Sequence, residues 1–200
     1  MLKTIRVLAW AAVALLVVAI VGTLAYQSFY GGSDRSMIAD TKMGAPFRLV
    51  DHNGDPITEE AIEGQPAAVF FGFTHCPEVC PTTLYELAGW LDQLGEDGEN
   101  IQAFFISVDP ERDTPEAMKS YVENFTDRIT GITGDPKEIH ELEKAWRVYA
   151  KKVPLEDGDY TMDHTASVML VDSEGRFKGT IAYGESSDTA LEKLRRLAKG

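Results

Sequence analysis

The sequence predicts an α/β domain of three layers, a sheet between helices, carried behind one N-terminal membrane helix. Two short apolar runs, Ala67–Phe73 (AAVFFGF) and Ile101–Val108 (IQAFFISV), read as strands buried on both faces, which requires helices on both sides of the sheet. Helix-like patterns alternate with them, and a hairpin and a last helix close the chain. Between Arg6 and Asp34 no residue is charged, and Val7–Ala25 is almost wholly apolar. At 200 residues and 44% hydrophobic content, the chain suits one core-forming domain plus this appendage.

The elements follow in order. Residues 1–26 form the anchor, with the membrane-crossing part at about residues 7–26. Lys3 and Arg6 precede it and acids appear only after it, so the positive-inside rule places the N-terminus in the cytoplasm. A cleaved signal peptide has a shorter apolar core and a small-residue cleavage site, and Leu24-Ala25-Tyr26 is a poor one. Residues 27–43, polar and carrying Gly31-Gly32, read as a tether. The domain spans residues 44–200. Phe47–Val50 alternates into a turn at Asp51–Asp55. After the first buried strand, Thr82–Leu94 carries a helical apolar face, with Pro81 suited to the first helical position. After the second, Asp113 or Thr114 can cap a helix reaching about Phe125. Asp135-Pro136 opens another to about Tyr149. Residues 153–163 read as an irregular acidic loop. Thr165–Val171 and Arg176–Tyr183 read as a hairpin, and Ser187–Lys199 as an amphipathic helix.

The chain carries −13 and its first 30 residues +2, so residues 31–200 carry −15. That excludes nucleic-acid binding through general electrostatics and favours cationic partners, solubility being the simplest reading.

The two cysteines, Cys76 and Cys80, stand in FFGFTHCPEVCPTTL, where a central strand hands over to a helix. In open α/β sheets that carboxyl edge is where sites form. A bridge over so small a loop constrains the unfolded chain weakly, and a domain of this size needs no staple. Helix N-termini lower thiol pKa values, so the pair suits disulfide exchange or a soft metal, and the residues alone leave both open. A metal needs a third ligand. His52 lies in a surface turn, His140 on a charged helix, and His75 adjoins Cys76, where neighbouring side chains of an extended segment diverge. His164 precedes a buried strand that can lie beside the cysteines, although a lone histidine there is more often a packing residue. A Cys-Cys-His set suits Cu(I), accepts Cu(II) or Zn(II), and fits copper best.

THCPEVCP, VDPERDTPEAMKSYV (Val108–Val122), GITGDPKEI (Gly131–Ile139) and DHTASVMLVDSEG (Asp163–Gly175) together resemble the Sco/SenC family over residues 44–200. The resemblance implies a membrane-anchored copper protein of thioredoxin-like fold that helps assemble cytochrome c oxidase. It implies copper, Cu(I) or Cu(II), on Cys76, Cys80 and His164, with Cys76 and Cys80 also able to form a redox-active disulfide. Asp109 is a candidate to tune the site, against the simpler reading that Asp109-Pro110 ends a strand. Asp163 is a candidate to orient the His164 imidazole.

The expected role is a metallochaperone more than an enzyme. It would serve the binuclear copper centre of the oxidase's copper-bearing subunit and draw on a copper donor protein. The expected location is a single pass through the inner membrane, with the domain on the periplasmic or extracytoplasmic side. The alternative is a periplasmic thiol–disulfide oxidoreductase working through the same cysteines. A peroxide-reducing enzyme needs an activating constellation around one cysteine, and no such motif stands out.

Overall fold

The structure, a computed structural model, describes residues 2–30, 42–156 and 158–200. The chain divides into two units, Met1–Asp40 and Thr41–Gly200. The first holds α1, Leu2–Tyr30, longer at both ends than the apolar run that predicts it. Its segment Thr4–Thr23 has 20 residues and is long and apolar enough to cross a membrane. Of the tether expected over residues 27–43, positions 31–41 lie outside the described residues.

The second unit is built on a seven-stranded mixed sheet. Its strands are β1 (Arg48–Asp51), β2 (Pro56–Thr58), β3 (Ala67–Gly72), β4 (Gln102–Ser107), β5 (Ile129–Thr133), β8 (Ser167–Val171) and β9 (Phe177–Ala182). They lie in the order β2-β1-β5-β4-β3-β8-β9. A separate two-stranded pair, β6 (Ala150–Pro154) and β7 (Tyr160–His164), fills the chain between β5 and β8. The helices are α2 (Val79–Gln93), the short α3 (Glu96–Glu99), α4 (Pro115–Val122), α5 (Pro136–Ala145) and α6 (Ser187–Lys199). Helix α6 packs on β8, β9, α2 and α3, whereas α4 packs on β5 and α5 on β1. All six residues of β3 are buried, and successive side chains of a strand face opposite ways, so both faces of the sheet are covered. This is the thioredoxin-like three-layer arrangement that the sequence predicts.

Strands β3 and β4 run parallel, paired from Ala67↔Gln102 to Gly72↔Ser107, and β5 runs parallel to β4. Both β3 and β4 therefore leave the sheet side by side at one edge. Strand β8 is antiparallel to β3, with Val69 opposite Met169, so the start of β8 points to that same edge.

Several expectations need correction. Helix α2 begins at Val79 rather than at Pro81, the expected first helical position, so Cys80 is its second residue and Pro81 its third. A helix leaves its first four N–H groups unpaired, so proline costs no hydrogen bond there. Residues 153–163 are not an irregular loop. Their ends belong to the β6–β7 hairpin, registered from Ala150↔His164 to Pro154↔Tyr160. Strand β6 is largely exposed on both faces, which is why it shows no apolar alternation. Strand β5, ITGIT, was absent from the expected elements, because a five-residue run with a central glycine and two threonines carries little strand signal. Helices α4 and α5 also stop short of Phe125 and Tyr149.

Gly72 has a packing reason to lack a side chain. A Cβ there would lie 2.7 Å from Phe105 Cε2 and 2.8 Å from Cys80 Sγ. Gly72→Ala should lower stability by about 1–3 kcal/mol through overpacking. The check is the urea midpoint at unchanged m-value; an unmoved midpoint would contradict the packing.

Candidate metal centre

The edge where β3 and β4 end gathers the chemistry. Residues 73–76 leave β3 in a turn closed by Cys76 N–H donating to Phe73 O at 3.2 Å. Helix α2 starts three residues later. Glu78, at its cap position, makes no side-chain capping bond. The Cys76 sulfur takes that role and accepts the Cys80 N–H at 3.3 Å. This places a sulfur at the positive end of the helix, where negative charge is stabilised.

His164, the last residue of β7, completes the group. Its Nε2 lies 3.5 Å from Cys80 Sγ. The donor atoms of Cys76, Cys80 and His164 all lie within 4.8 Å of one another, a spacing that can hold a metal ion. The ring is fixed on several sides. Its Nδ1 faces Thr165 O at 3.0 Å, and a carbonyl only accepts, so Nδ1 carries the proton and Nε2 keeps its lone pair toward the sulfurs. Phe73 meets it edge-on, with centroids 5.7 Å apart, and Phe70 at 6.2 Å.

The two thiols are not equivalent. Cys80 is fully buried and Cys76 partly exposed. Cys76 titrates at about 4, chiefly because the Cys80 thiol donates to its sulfur; the N–H groups of Cys80 and Glu78 add to this. Cys80 is driven upward, first by donating that bond and then by burial. The pair thus shares one proton across a wide pH range, with the thiolate at Cys76.

The remaining histidines stand apart. His75 is exposed and contacts Thr74 Oγ1 at 3.1 Å. His52 Nδ1 accepts the Gly131 N–H at 2.9 Å, tying the β1 turn to β5. His140 is exposed and pairs with Glu143.

The two acidic candidates are placed otherwise than expected. Asp163 is exposed, next to His164 on a strand and so on the opposite face; the Thr165 carbonyl holds the imidazole instead. Asp109 is buried, but its carboxylate is taken up by Arg112 Nε and by Tyr160 Oη, the latter at 2.8 Å. It supports β7 through Tyr160 rather than touching the ligand group.

Two residues near the site escape a reading of the sequence. Asp113 resembles a helix cap, yet Thr114 caps α4 by accepting the Ala117 N–H, and Asp113 bonds the cysteine turn instead. Tyr121 has a buried hydroxyl with no hydrogen-bond partner among the described residues. Burial, and then the negative charge of the cysteine pair and of Asp113, hold its phenol above the ordinary value. An aromatic at helical spacing looks like core, so no local signal marks it.

A family model described as SCO1/SenC matches residues 35–199. Protein SCO2, mitochondrial, of Saccharomyces cerevisiae is 38% identical over 156 residues, which are 76% of this chain and 52% of that protein. The chain thus spans about half the length of this curated relative. The structure of Bradyrhizobium japonicum ScoI with copper bound is 48% identical, with a TM-score of 0.72, covering 78% of this chain and 99% of that one. The structure of yeast Sco1 with copper bound is 34% identical, with a TM-score of 0.73, covering 80% and 90%.

In the reduced, metal-free protein, iodoacetamide should alkylate Cys76 and spare Cys80. The Cys76 rate should stay flat below neutrality and halve near pH 4. A midpoint near 8.5, that of a free thiol, would contradict the shared-proton arrangement.

Proposed function

The chain belongs to the SCO1/SenC family, and from that premise we propose that it is a membrane-anchored copper-binding protein that serves assembly of the copper centre of cytochrome c oxidase. The observation that carries this reading is the convergence of Cys76, Cys80 and His164, two sulfurs and one imidazole, from segments 84 residues apart. Two thiolates and a neutral imidazole form a soft donor set suited to copper. The copper-bound relatives described above support the same metal.

In this reading copper is cargo. The thiolate at Cys76 and the lone pair on His164 Nε2 are ready to bind it, and Cys80 gives up its proton on binding. The residues around the site exclude water from one side: Phe70 and Phe73 cover the imidazole, and Cys80 lies within the core. The partly exposed Cys76 is where a donor or the oxidase's copper-bearing subunit would exchange ligands. Helix α1 would hold the domain at the inner membrane, N-terminus inside and residues 44–200 on the periplasmic side. The charges flanking the apolar run support that orientation.

The inequality of the thiols supports a second activity on the same residues. The Cys76 thiolate can attack a partner disulfide and form a mixed disulfide, releasing one partner thiolate. Cys80 then loses its proton and attacks Cys76, which releases the second partner thiol and leaves a Cys76–Cys80 bridge. The partner is reduced and the pair oxidised. A bridged pair cannot bind copper through thiolates, so the two states exclude each other.

The test uses the full chain in detergent, reduced, titrated with Cu(I) against a competing chelator. Wild type should bind one copper. His164→Ala should weaken binding by about 100-fold or more, beyond the ~10–100-fold typical of residues behind the ligands. Its rate of exchange with a small disulfide should largely survive. Unchanged copper affinity in that variant would refute the ligand assignment.

A further inference from the structure

We infer that Asp113 is the residue that positions Cys76 in the metal-binding turn, acting through Thr74. Its backbone is fixed first. The Asp113 N–H donates to Asp109 O at 3.0 Å, and the Asp113 carbonyl accepts from Thr133 Oγ1 of β5 at 2.6 Å. Its carboxylate is fully buried. Oδ2 accepts from Ser107 Oγ, at the end of β4, at 2.6 Å. Ser107 Oγ in turn accepts the Asp109 N–H at 2.9 Å. One turn of chain, one sheet strand and a neighbouring strand therefore hold this carboxylate in place.

What it holds in return is Thr74. The Thr74 hydroxyl donates to Oδ1 at 2.7 Å, and the Thr74 N–H reaches both oxygens, at 3.2 and 3.3 Å. Thr74 is the second residue of the turn that Cys76 closes. Every group facing the carboxylate from Ser107 and Thr74 is a donor, which is the pattern of an acceptor-only carboxylate. His75 Nδ1 lies 4.0 Å away, beyond hydrogen-bond length. A buried carboxylate is expensive unless its bonds are made. Capping does not account for it, since Thr114 caps α4. The bonds lead instead to the turn that sets Cys76 Sγ against the Cys80 N–H and His164.

This rests on the reading of Cys76 as a ligand and thiol partner, and the test separates the two. The full chain in detergent is compared as wild type, Asp113→Ala, Asp113→Asn, Thr74→Val and His164→Ala. Cu(I) affinity is read by chelator competition. In metal-free samples the equilibrium with glutathione is read as well: protein dithiol plus oxidised glutathione gives the Cys76–Cys80 bridge plus two reduced glutathiones. Thermal unfolding shows that each variant is folded.

Asp113→Ala should weaken copper binding by about 10–100-fold. Asp113→Asn can still present an oxygen to Thr74 while its NH2 turns to Ser107, and should stay within about fivefold of wild type. Thr74→Val loses one hydrogen bond and should weaken binding by about fivefold. Asp113→Ala and Thr74→Val should shift the glutathione equilibrium by similar factors, whereas His164→Ala should move copper affinity alone. If Asp113→Asn falls as far as Asp113→Ala, charge rather than position is at work and the inference is overturned. If Thr74→Val matches wild type in both readouts, it is overturned even where Asp113→Ala does not fold. Wild type that binds no copper would sink the proposed function, and the glutathione equilibrium would still decide the positioning role.

Discussion

The parallel pairing of β3 with β4 is the constraint on which the site depends. Its register sets Gly72 beside Ser107, and the first hydrogen bond past the strands, Val108 N–H to Gly72 O at 2.8 Å, carries the pairing into the loops. Two parallel neighbours must exit at the same edge, so the cysteine turn and the DPERD turn are pressed together. Antiparallel β8 starts from that same edge, with His164 just ahead of it. A slip of one residue would turn every side chain of β3 to the other face. Phe70 and Phe73 would leave the imidazole, and Gly72 would no longer make room for Cys80.

The polar groups of the interior concentrate at this one edge. Most of the core is aliphatic and aromatic, from Phe47 to Leu197. Asp109, Asp113, Ser107 and Thr133 are buried here, and each has its bonds: Asp109 with Arg112 and Tyr160, and Asp113 with Ser107, Thr74 and, through its carbonyl, Thr133. Arg112 also lies over the Tyr160 ring, 3.8 Å from its centroid. Buried polar groups are tolerated when their bonds are satisfied, and then they define position sharply. The two acids divide the work. Asp109 braces the strand that ends in His164, and Asp113 braces the turn that contains Cys76.

Much of this was legible in the residues, for identifiable reasons. The runs AAVFFGF and IQAFFISV are apolar but for Gln102 and Ser107 because the strands are covered on both faces, and that same fact marks an α/β sheet. Cys76 and Cys80 were visible as a pair because the short spacing at a strand–helix junction is itself the signal. His164 was not separable from a packing histidine by its own neighbourhood; the family motifs raised it. Strand β5 was missed because its signal is weak. The β6–β7 hairpin carries no alternating signal because β6 is exposed on both faces and β7 is only half-buried, so neither buries an alternating set. Of the two cap candidates Thr114 takes the role; an aspartate before Thr-Pro also resembles a cap, and only the bond to Thr74, 39 positions earlier, shows what Asp113 does.

The hairpin that carries His164 has a consequence for how the site comes apart. Strands β6 and β7 pair with each other and share no ladder with the seven-stranded sheet. They are held by Tyr160 to Asp109, by Arg112 Nη1 to Tyr160 O at 3.0 Å, by Lys152 to Glu111, and by Ala150 and Met162 packed against the core, while the two bonds between Tyr149 and Thr165 close the ribbon on itself. Cys80, in contrast, sits in the core beside Gly72 and Phe105. Opening free energies differ across a structure, and a ribbon outside the main sheet, tied to it by side chains and with β6 exposed, belongs toward the low end. The donor set is therefore mounted on two elements of unequal strength. Local opening would release the imidazole before the dithiol, so the donor set has a strong half and a weak half inside one domain.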